Sequence, residues 1–195
     1  DGDLQIVDVW GGWRPADQVT VVAGVTRVPF TRDNMMSTGN MVFQEANVAT
    51  FHIAPGRDVG ALVDFRSDAG VRVQAGAFNG NGDLLGDHDP GLMYAGRAEF
   101  MTGGEHVDRA VYRTYGQVEA FTLGVGGAGY FNQELSTTTL AYGGDVIIRV
   151  DGLAVLLEGS MARITPTDST VDAPGVLVET SRLGFSGQAG YTIGE

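Results

Sequence analysis

Cysteine and lysine are both absent from this chain of 195 residues. Without cysteine there can be no disulfide, no thiolate metal site and no cysteine nucleophile. All twelve basic residues are arginine, and 24 acidic residues leave a formal net charge of −12. Because such a chain would repel phosphate backbones, we expect no nucleic-acid partner.

Long apolar runs and helical periodicity are also missing. No stretch reaches the roughly 18 apolar residues that a transmembrane helix needs, and only residues 34–50 could hold a single helical turn. The opening residues DGDLQIVDVW lack the basic and apolar parts of a secretion signal, so we expect any such signal to lie upstream or to have been removed. A transmembrane β-barrel is still compatible with this sequence, because each of its strands needs only about ten alternating residues.

What the chain does contain is glycine, thirty residues of it, and repeated alternation of apolar and polar residues. Alternation with period two indicates β-strands, and Asp151-Gly152 between two such runs is typical of a hairpin turn. We predict one all-β, antiparallel region over 1–195 with about nine strands. The predicted strands are 3–13, 18–28, 59–66, 71–79, 92–101, 120–132, 139–150, 153–164 and 183–194.

The connections between these strands alternate in length. Residues 15–18, 67–70 and 151–152 are short connections, whereas 30–58, 80–91 and 166–182 are long ones. Short turns at one end and long loops at the other are typical of an outer-membrane barrel. Residues 102–118 break this rhythm, and a soluble sandwich can also mix loop lengths.

Charged residues lie in the middle of strands, opposite a more apolar set. Arg97 and Glu99, for example, alternate with Tyr94, Ala98 and Phe100. In a soluble sandwich the charges would face water and the apolar set would be buried. In a membrane barrel the charges would line the lumen and the apolar set would meet lipid. The length of the strands favours the barrel.

The run GVGGAG at 124–129 has the glycine spacing of a dinucleotide-binding loop. That fingerprint requires a helix immediately afterwards, and YFNQELSTTT is not a convincing helix. We therefore interpret the run as small residues on a barrel strand.

Segments along nearly the whole chain resemble, in order, the phosphate-selective porin O and P family. APGRDVG at 54–60 and FNGNG at 78–82 are the most specific of them. The segments are VDVWGGWRPADQVTVVAGVTRVPFTRDN (7–34), FHIAPGRDVGALVDF (51–65), VQAGAFNGNGD (73–83), LMYAGRAEF (92–100), LGVGGAGYF (123–131) and GQAGYTIGE (187–195).

This resemblance implies a transmembrane β-barrel of sixteen strands in the bacterial outer membrane. The chain would supply its middle portion, as a fragment or a smaller relative. It also implies a homotrimer, contact with the lipid bilayer and lipopolysaccharide, and passive diffusion of small anionic, phosphate-like or polar solutes. No cofactor and no catalytic step are expected.

The resemblance further implies that residues 30–58 form a constriction loop folded into the barrel. Its basic residues are Arg32, Arg57 and His52, set against acidic residues such as Asp33 and Asp58. This balance predicts a general pore for anions and polar solutes rather than one specific for phosphate.

Arginine is the side chain expected to carry the pore chemistry, since guanidinium keeps its charge and binds oxyanions with paired hydrogen bonds. In the alternative interpretation the arginines only balance charge and hydrogen bonding on a water-exposed barrel wall. They would then pair across strands with Asp64, Glu99, Asp145 and Glu158. The candidate pore-lining and anion-binding residues are Arg27, Arg32, Arg57, Arg66, Arg72, Arg97 and Arg149.

The loop NGNGDLLGDHD at 79–89 is rich in oxygen ligands. It lacks the glycine that a calcium-binding EF-hand requires at the sixth position, where Leu84 stands. A weak cation site on Asp83, Asp87 and Asp89 is the remaining metal hypothesis.

Two other classes of function compete with the porin hypothesis. A soluble antiparallel β-sandwich or barrel could act as a binding module, and it would remain monodisperse without detergent. An outer-membrane hydrolase would use paired carboxylates such as Asp145 and Glu158 as acid and base.

Overall fold

The structure is a computed structural model, and it describes residues 9–36, 52–80, 91–102, 121–167 and 178–191. These residues form nine β-strands and one helical turn, α1, at Arg32–Met35. The strands are β1 Val9–Ala16, β2 Val19–Arg27, β3 Arg57–Arg66, β4 Val71–Phe78, β5 Met93–Met101, β6 Thr122–Gln133, β7 Thr137–Val150, β8 Leu153–Pro166 and β9 Thr180–Tyr191.

All nine strands join one antiparallel sheet in chain order, with β1 and β9 at its edges. The predicted all-β antiparallel class is therefore confirmed, and each strand overlaps its predicted range. Residues 3–8 of the first predicted strand fall outside the described residues. In the described part of the chain, no helix has the length and apolar character needed to cross a membrane.

The hairpin between β7 and β8 turns at Asp151 and Gly152, as predicted. Their φ angles are +44° and +81°, and Val150 pairs directly with Leu153. Positive φ at both central positions matches the twist of the flanking strands, and Asp-Gly adopts it at low cost. Two strands of fourteen residues each are thereby held in register over their full length.

The outer face of the sheet carries a continuous apolar row. Cross-strand pairing joins Val71 to Phe100, Phe100 to Val125, Val125 to Val146, and Val146 to Leu157. These five side chains are between 36% and 55% exposed. A soluble sandwich would bury such a row, whereas a membrane barrel leaves it for lipid.

The inner face is defined by the buried charged side chains, and residues 28–36 lie across it. Val28 and Phe30 are fully buried there, and the Phe30 ring meets the Tyr130 ring edge to face at 5.3 Å. The same cluster includes Phe78 and Met93 from the strands. Apolar contact therefore anchors residues 28–36 beside the buried charges. In a soluble sheet the charged face would be exposed and the apolar face buried.

Candidate functional site

A row of charged residues crosses the inner face of six strands, from β3 to β8. The row consists of Arg66, Arg72, Glu99, Asp145 and Glu158, with Gly126 between Glu99 and Asp145. Each member is the direct cross-strand neighbour of the next, so the register of the sheet sets their order. Within the row only Arg72 and Glu99 are direct neighbours of opposite charge, which stabilises a sheet. Arg66 beside Arg72 and Asp145 beside Glu158 are like-charge neighbours, so these residues need partners from outside the row.

Arg97 joins the two halves of this charged row. Its Nη1 and Nη2 bind the Asp145 carboxylate oxygens Oδ2 and Oδ1 at 2.6 and 3.0 Å. Nη2 and Nε also donate to Glu99 Oε2, at 3.0 and 3.2 Å. A fifth hydrogen bond, of 2.7 Å, runs from Nη1 to the Phe30 carbonyl and ties residues 28–36 to the wall.

Arg32 approaches the same carboxylates from the segment that covers them. Its Nε donates to Asp145 Oδ1 at 2.7 Å, and its Nη2 lies 3.5 Å from Glu99 Oε2. The Arg32 side chain is 0% exposed. Two arginines therefore share Asp145 and Glu99, which balances the four charges locally.

The next residue strengthens this attachment. The Asp33 backbone N–H donates to Glu158 Oε1 at 2.8 Å, within the buried part of the inner face. Neither this contact nor the Phe30 carbonyl was predicted from the sequence. No spacing pattern encodes them, because both depend on the path of the chain after β2.

A second ion cluster surrounds Asp64 on β3. Arg72 donates to both of its carboxylate oxygens at 2.9 and 2.8 Å. Arg66 donates to Oδ2 at 2.7 Å, and its side chain remains 32% exposed. Two guanidinium groups thus flank one carboxylate.

The other candidate arginines lie elsewhere on the sheet. Arg27 Nη1 donates to the backbone carbonyls of Asn34, at 2.7 Å, and Met36. Arg57 is the cross-strand neighbour of Arg27, and Arg149 is buried on β7. The structure brings Arg32 and Arg97 together at Glu99 and Asp145 and places Arg66 beside Arg72. Arg149, on β7, belongs to neither group. Pairing with acids on other strands, the alternative interpretation, is observed for Arg72 with Asp64 and for Arg97 with Asp145, whereas Arg66 pairs with Asp64 on its own strand.

The glycine run on β6 makes room for these contacts. A Cβ atom built on Gly126 would lie 2.3 Å from Arg97 Nη2 and 2.9 Å from Asp145 Oδ2. One on Gly124 would meet Ile147 and Met101. The interpretation of this run as small residues on a strand agrees with the structure, which adds the reason: a side chain would displace the Arg97–Asp145 pair.

We expect Gly126→Val to destabilise the protein by about 1–3 kcal/mol, because the added side chain must displace buried, paired groups. Gly127→Val is the matched control, since a Cβ there would meet nothing within 4 Å. The measurement is urea unfolding of the full protein in lipid vesicles, followed by tryptophan fluorescence. Equal unfolding midpoints for the two variants would contradict the packing argument.

One ion pair lies on the outer face, away from these clusters. Arg163 Nη2 and Glu179 form an exposed pair at 2.8 Å, with side chains 57% and 48% exposed. The hydrogen bond from Arg163 holds the pKa of the Glu179 carboxyl below its usual value. Because this arginine lies off the inner face, it provides a control for charge effects there.

Most residues of the predicted cation site and of the predicted constriction loop lie outside the described residues. No group of three or more acidic or histidine side chains placed to hold a metal ion occurs in the described ranges. Asp83, Asp87 and Asp89 lie outside those ranges, as do residues 37–51 of the predicted constriction loop. The described ends of that loop both contact the inner face, one through Arg32 and the other through Ile53.

Comparison with known proteins agrees with this architecture. A model of the phosphate-selective porin O and P family matches residues 1–133, and β7, β8 and β9 continue the same sheet beyond the match. Searches of the curated proteins and of the solved structures find no match. The family match supports a porin-type channel of the bacterial outer membrane rather than an enzyme. Together with the exposed apolar row and the covered charged row, it leads to one conclusion: the chain belongs to the phosphate-selective porin O and P family.

Proposed function

We propose that this porin passes small polar solutes, anions among them, by passive diffusion along its inner face. The observation that carries the anion part is a cavity of about 280 Å³ on strands β1 to β4, bordered by Met35 of α1. Arg27, Arg66 and Arg72 line it together with a single carboxylate, Asp64. Three guanidinium groups around one carboxylate favour an anion entering this cavity.

The other charged residues support a general pore. Arg32 and Arg97 are paired with Asp145 and Glu99, so their field at a distance is largely cancelled. An array of paired charges remains polar and attracts water without a strong preference for one sign of ion. We therefore place the anion preference at the cavity beside Arg66 and propose no phosphate-specific site.

The membrane part of the proposal rests on the two faces and the two edges of the sheet. The outer apolar row meets lipid, and lipopolysaccharide borders the outer leaflet. Strand edges such as β1 and β9 need partners, because unpaired backbone groups are costly in a bilayer. We propose that further strands of the barrel pair with these edges, that residues 30–58 narrow the lumen, and that the porin assembles as a homotrimer.

Arg66→Gln tests the proposed anion cavity. Removing one of three positive charges should lower the anion-to-cation permeability ratio by about twofold to fivefold, since a unit charge about 4 Å from an ion in water contributes roughly 1 kcal/mol. The measurement is the reversal potential of single channels in a planar bilayer under a KCl gradient.

Arg163→Gln is the matched control, because it removes the same charge from the outer face. It should leave the reversal potential unchanged. If both variants shift the potential equally, the effect comes from net charge and the proposed cavity is wrong. If neither shifts it, Arg66 does not face the ion path.

A further inference from the structure

A second cavity, of about 220 Å³, lies at the end of the sheet where the long connections begin, and we call it the end cavity. Residues 52–55 form one side, and Gly80, Glu134 and residues of strands β5 to β9 form the rest. Its apolar walls include Ile53, Met93 and Ile164. Its acidic side chain is Glu134, next to Asn132, and its guanidinium is that of Arg182 on β9.

Asn132 presents a buried acceptor at the first of these places. Its side-chain Nδ2 donates to the Gly80 carbonyl at 2.8 Å and to Glu134 Oε1 at 3.0 Å. These two acceptors define which atom of the amide is the nitrogen. Oδ1 is then an acceptor that no donor among the described residues reaches, in a side chain only 6% exposed. A buried carbonyl oxygen in this position favours a ligand that donates a hydrogen bond.

Glu134 adds a negative charge beside that oxygen. Its two observed donors, Asn132 Nδ2 and Thr137 Oγ1, are both neutral groups at 3.0 Å. No positively charged donor among the described residues contacts this carboxyl group, which lies next to the unsatisfied amide oxygen. Together these groups suit a cationic donor such as an ammonium group.

Arg182 supplies the opposite charge. Its Nη1 donates to the His52 carbonyl at 2.8 Å, which holds the guanidinium against residues 52–55. A guanidinium has five N–H donors in a planar fork, and one hydrogen bond leaves donors for a carboxylate.

We propose that the end cavity binds a small zwitterion with an aliphatic body, of the amino acid type. Its ammonium group donates to Asn132 Oδ1 and Glu134, its carboxylate accepts from Arg182, and its side chain packs on Ile53 and Ile164. A simple anion would meet the charge of Glu134, and a simple cation would meet that of Arg182. This adds a solute class to the channel and rests on the proposed function only in that solutes must reach the cavity.

The test is calorimetric titration of L-leucine into the full protein in detergent micelles. We expect saturable binding by the unaltered protein, weakened at least tenfold in Arg182→Gln and in Glu134→Gln, because each loses a charge-assisted hydrogen bond. 4-Methylpentanoate, which lacks the ammonium group, and 3-methylbutylamine, which lacks the carboxylate, should each bind at least tenfold more weakly than leucine.

Arg163→Gln, on the outer face, should bind leucine as the unaltered protein does. Absence of saturable leucine binding, or equal binding of leucine and 4-methylpentanoate, would overturn the proposal; the second result would identify a plain anion site. Single-channel conductance in KCl is recorded on the same preparations. A preparation that conducts ions without binding leucine refutes the end-cavity site alone, whereas one that forms no channel refutes the proposed function.

Discussion

Replacing Arg97 by methionine should lower the free energy of unfolding by about 3–5 kcal/mol, the usual cost of removing one partner from a buried ion pair. The Arg97 side chain is 2% exposed and makes five hydrogen bonds, to Asp145, Glu99 and the Phe30 carbonyl. Methionine fills much of the same volume but leaves these acceptors with fewer donors. Asp145 then keeps Arg32 as its close positive partner, and Glu99 keeps Arg32 at 3.5 Å and Arg72 at 3.8 Å.

Urea unfolding in lipid vesicles measures this loss, and two further variants interpret it. Arg97→Lys keeps the charge without the paired geometry, so it should fall between the unaltered protein and Arg97→Met. Arg163→Met removes an exposed arginine from the outer face and should leave the midpoint unchanged. A loss for Arg97→Met no larger than that for Arg163→Met would mean that the buried cluster contributes nothing to stability.

The strands were predictable because each carries its own signal. Alternation along β5 puts Tyr94 and Phe100 on one face and Arg97 and Glu99 on the other, and period two is a local property of the chain. The Asp151-Gly152 turn was predictable for the same reason, since a two-residue hairpin demands positive φ at both positions.

Alternation alone does not show which face of the sheet another segment covers. The structure decides it, because Val125 and Leu157 are exposed while Asp145 and Glu158 lie beneath residues 28–36. That arrangement depends on a segment distant in sequence: Arg32 and Asp145 are 113 residues apart.

The partners within the site were less predictable than its members. Residue type alone makes seven arginines candidates, and their role in the pore stays a prediction. The contact from Arg97 to Asp145 spans two strand pairs and requires Gly126 between them. Sequence patterns report neighbours on one strand, whereas pairing of this kind depends on register and on the reach of a long side chain. The Gly80 carbonyl and the Glu134 carboxyl accept from Asn132, and the Phe30 carbonyl accepts from Arg97. These contacts likewise depend on loop geometry.

The largest combined effect on selectivity and conductance is expected at Arg32. Replacing it by methionine removes the hydrogen bond to Asp145, which leaves Asp145 with Arg97 and Glu99 with Arg97 and Arg72 as close positive partners. The inner face gains one net negative charge where residues 28–36 cover it. We expect the reversal potential to shift toward cation preference by about twofold to fivefold in permeability ratio, and single-channel conductance to rise as the segment loosens.

Arg57→Met should shift the potential in the same direction but less, because Arg57 is half-buried at the start of β3, beside Arg27. The double replacement of Arg32 and Arg57 should combine both shifts. An unchanged potential in that variant would show that neither arginine sets the field in the pore.

Charge and loosening of the segment are separated by removing the opposing carboxylate as well. Asp145→Asn in the Arg32→Met background eliminates the excess negative charge but does not restore the tether between α1 and β7. The reversal potential should therefore return toward that of the unaltered protein, while the conductance stays high. If both quantities return together, the conductance increase was electrostatic, and Arg32 does not act as a tether. If neither returns, the shift arises from rearrangement of residues 28–36, because an uncompensated carboxylate at Asp145 can no longer explain it.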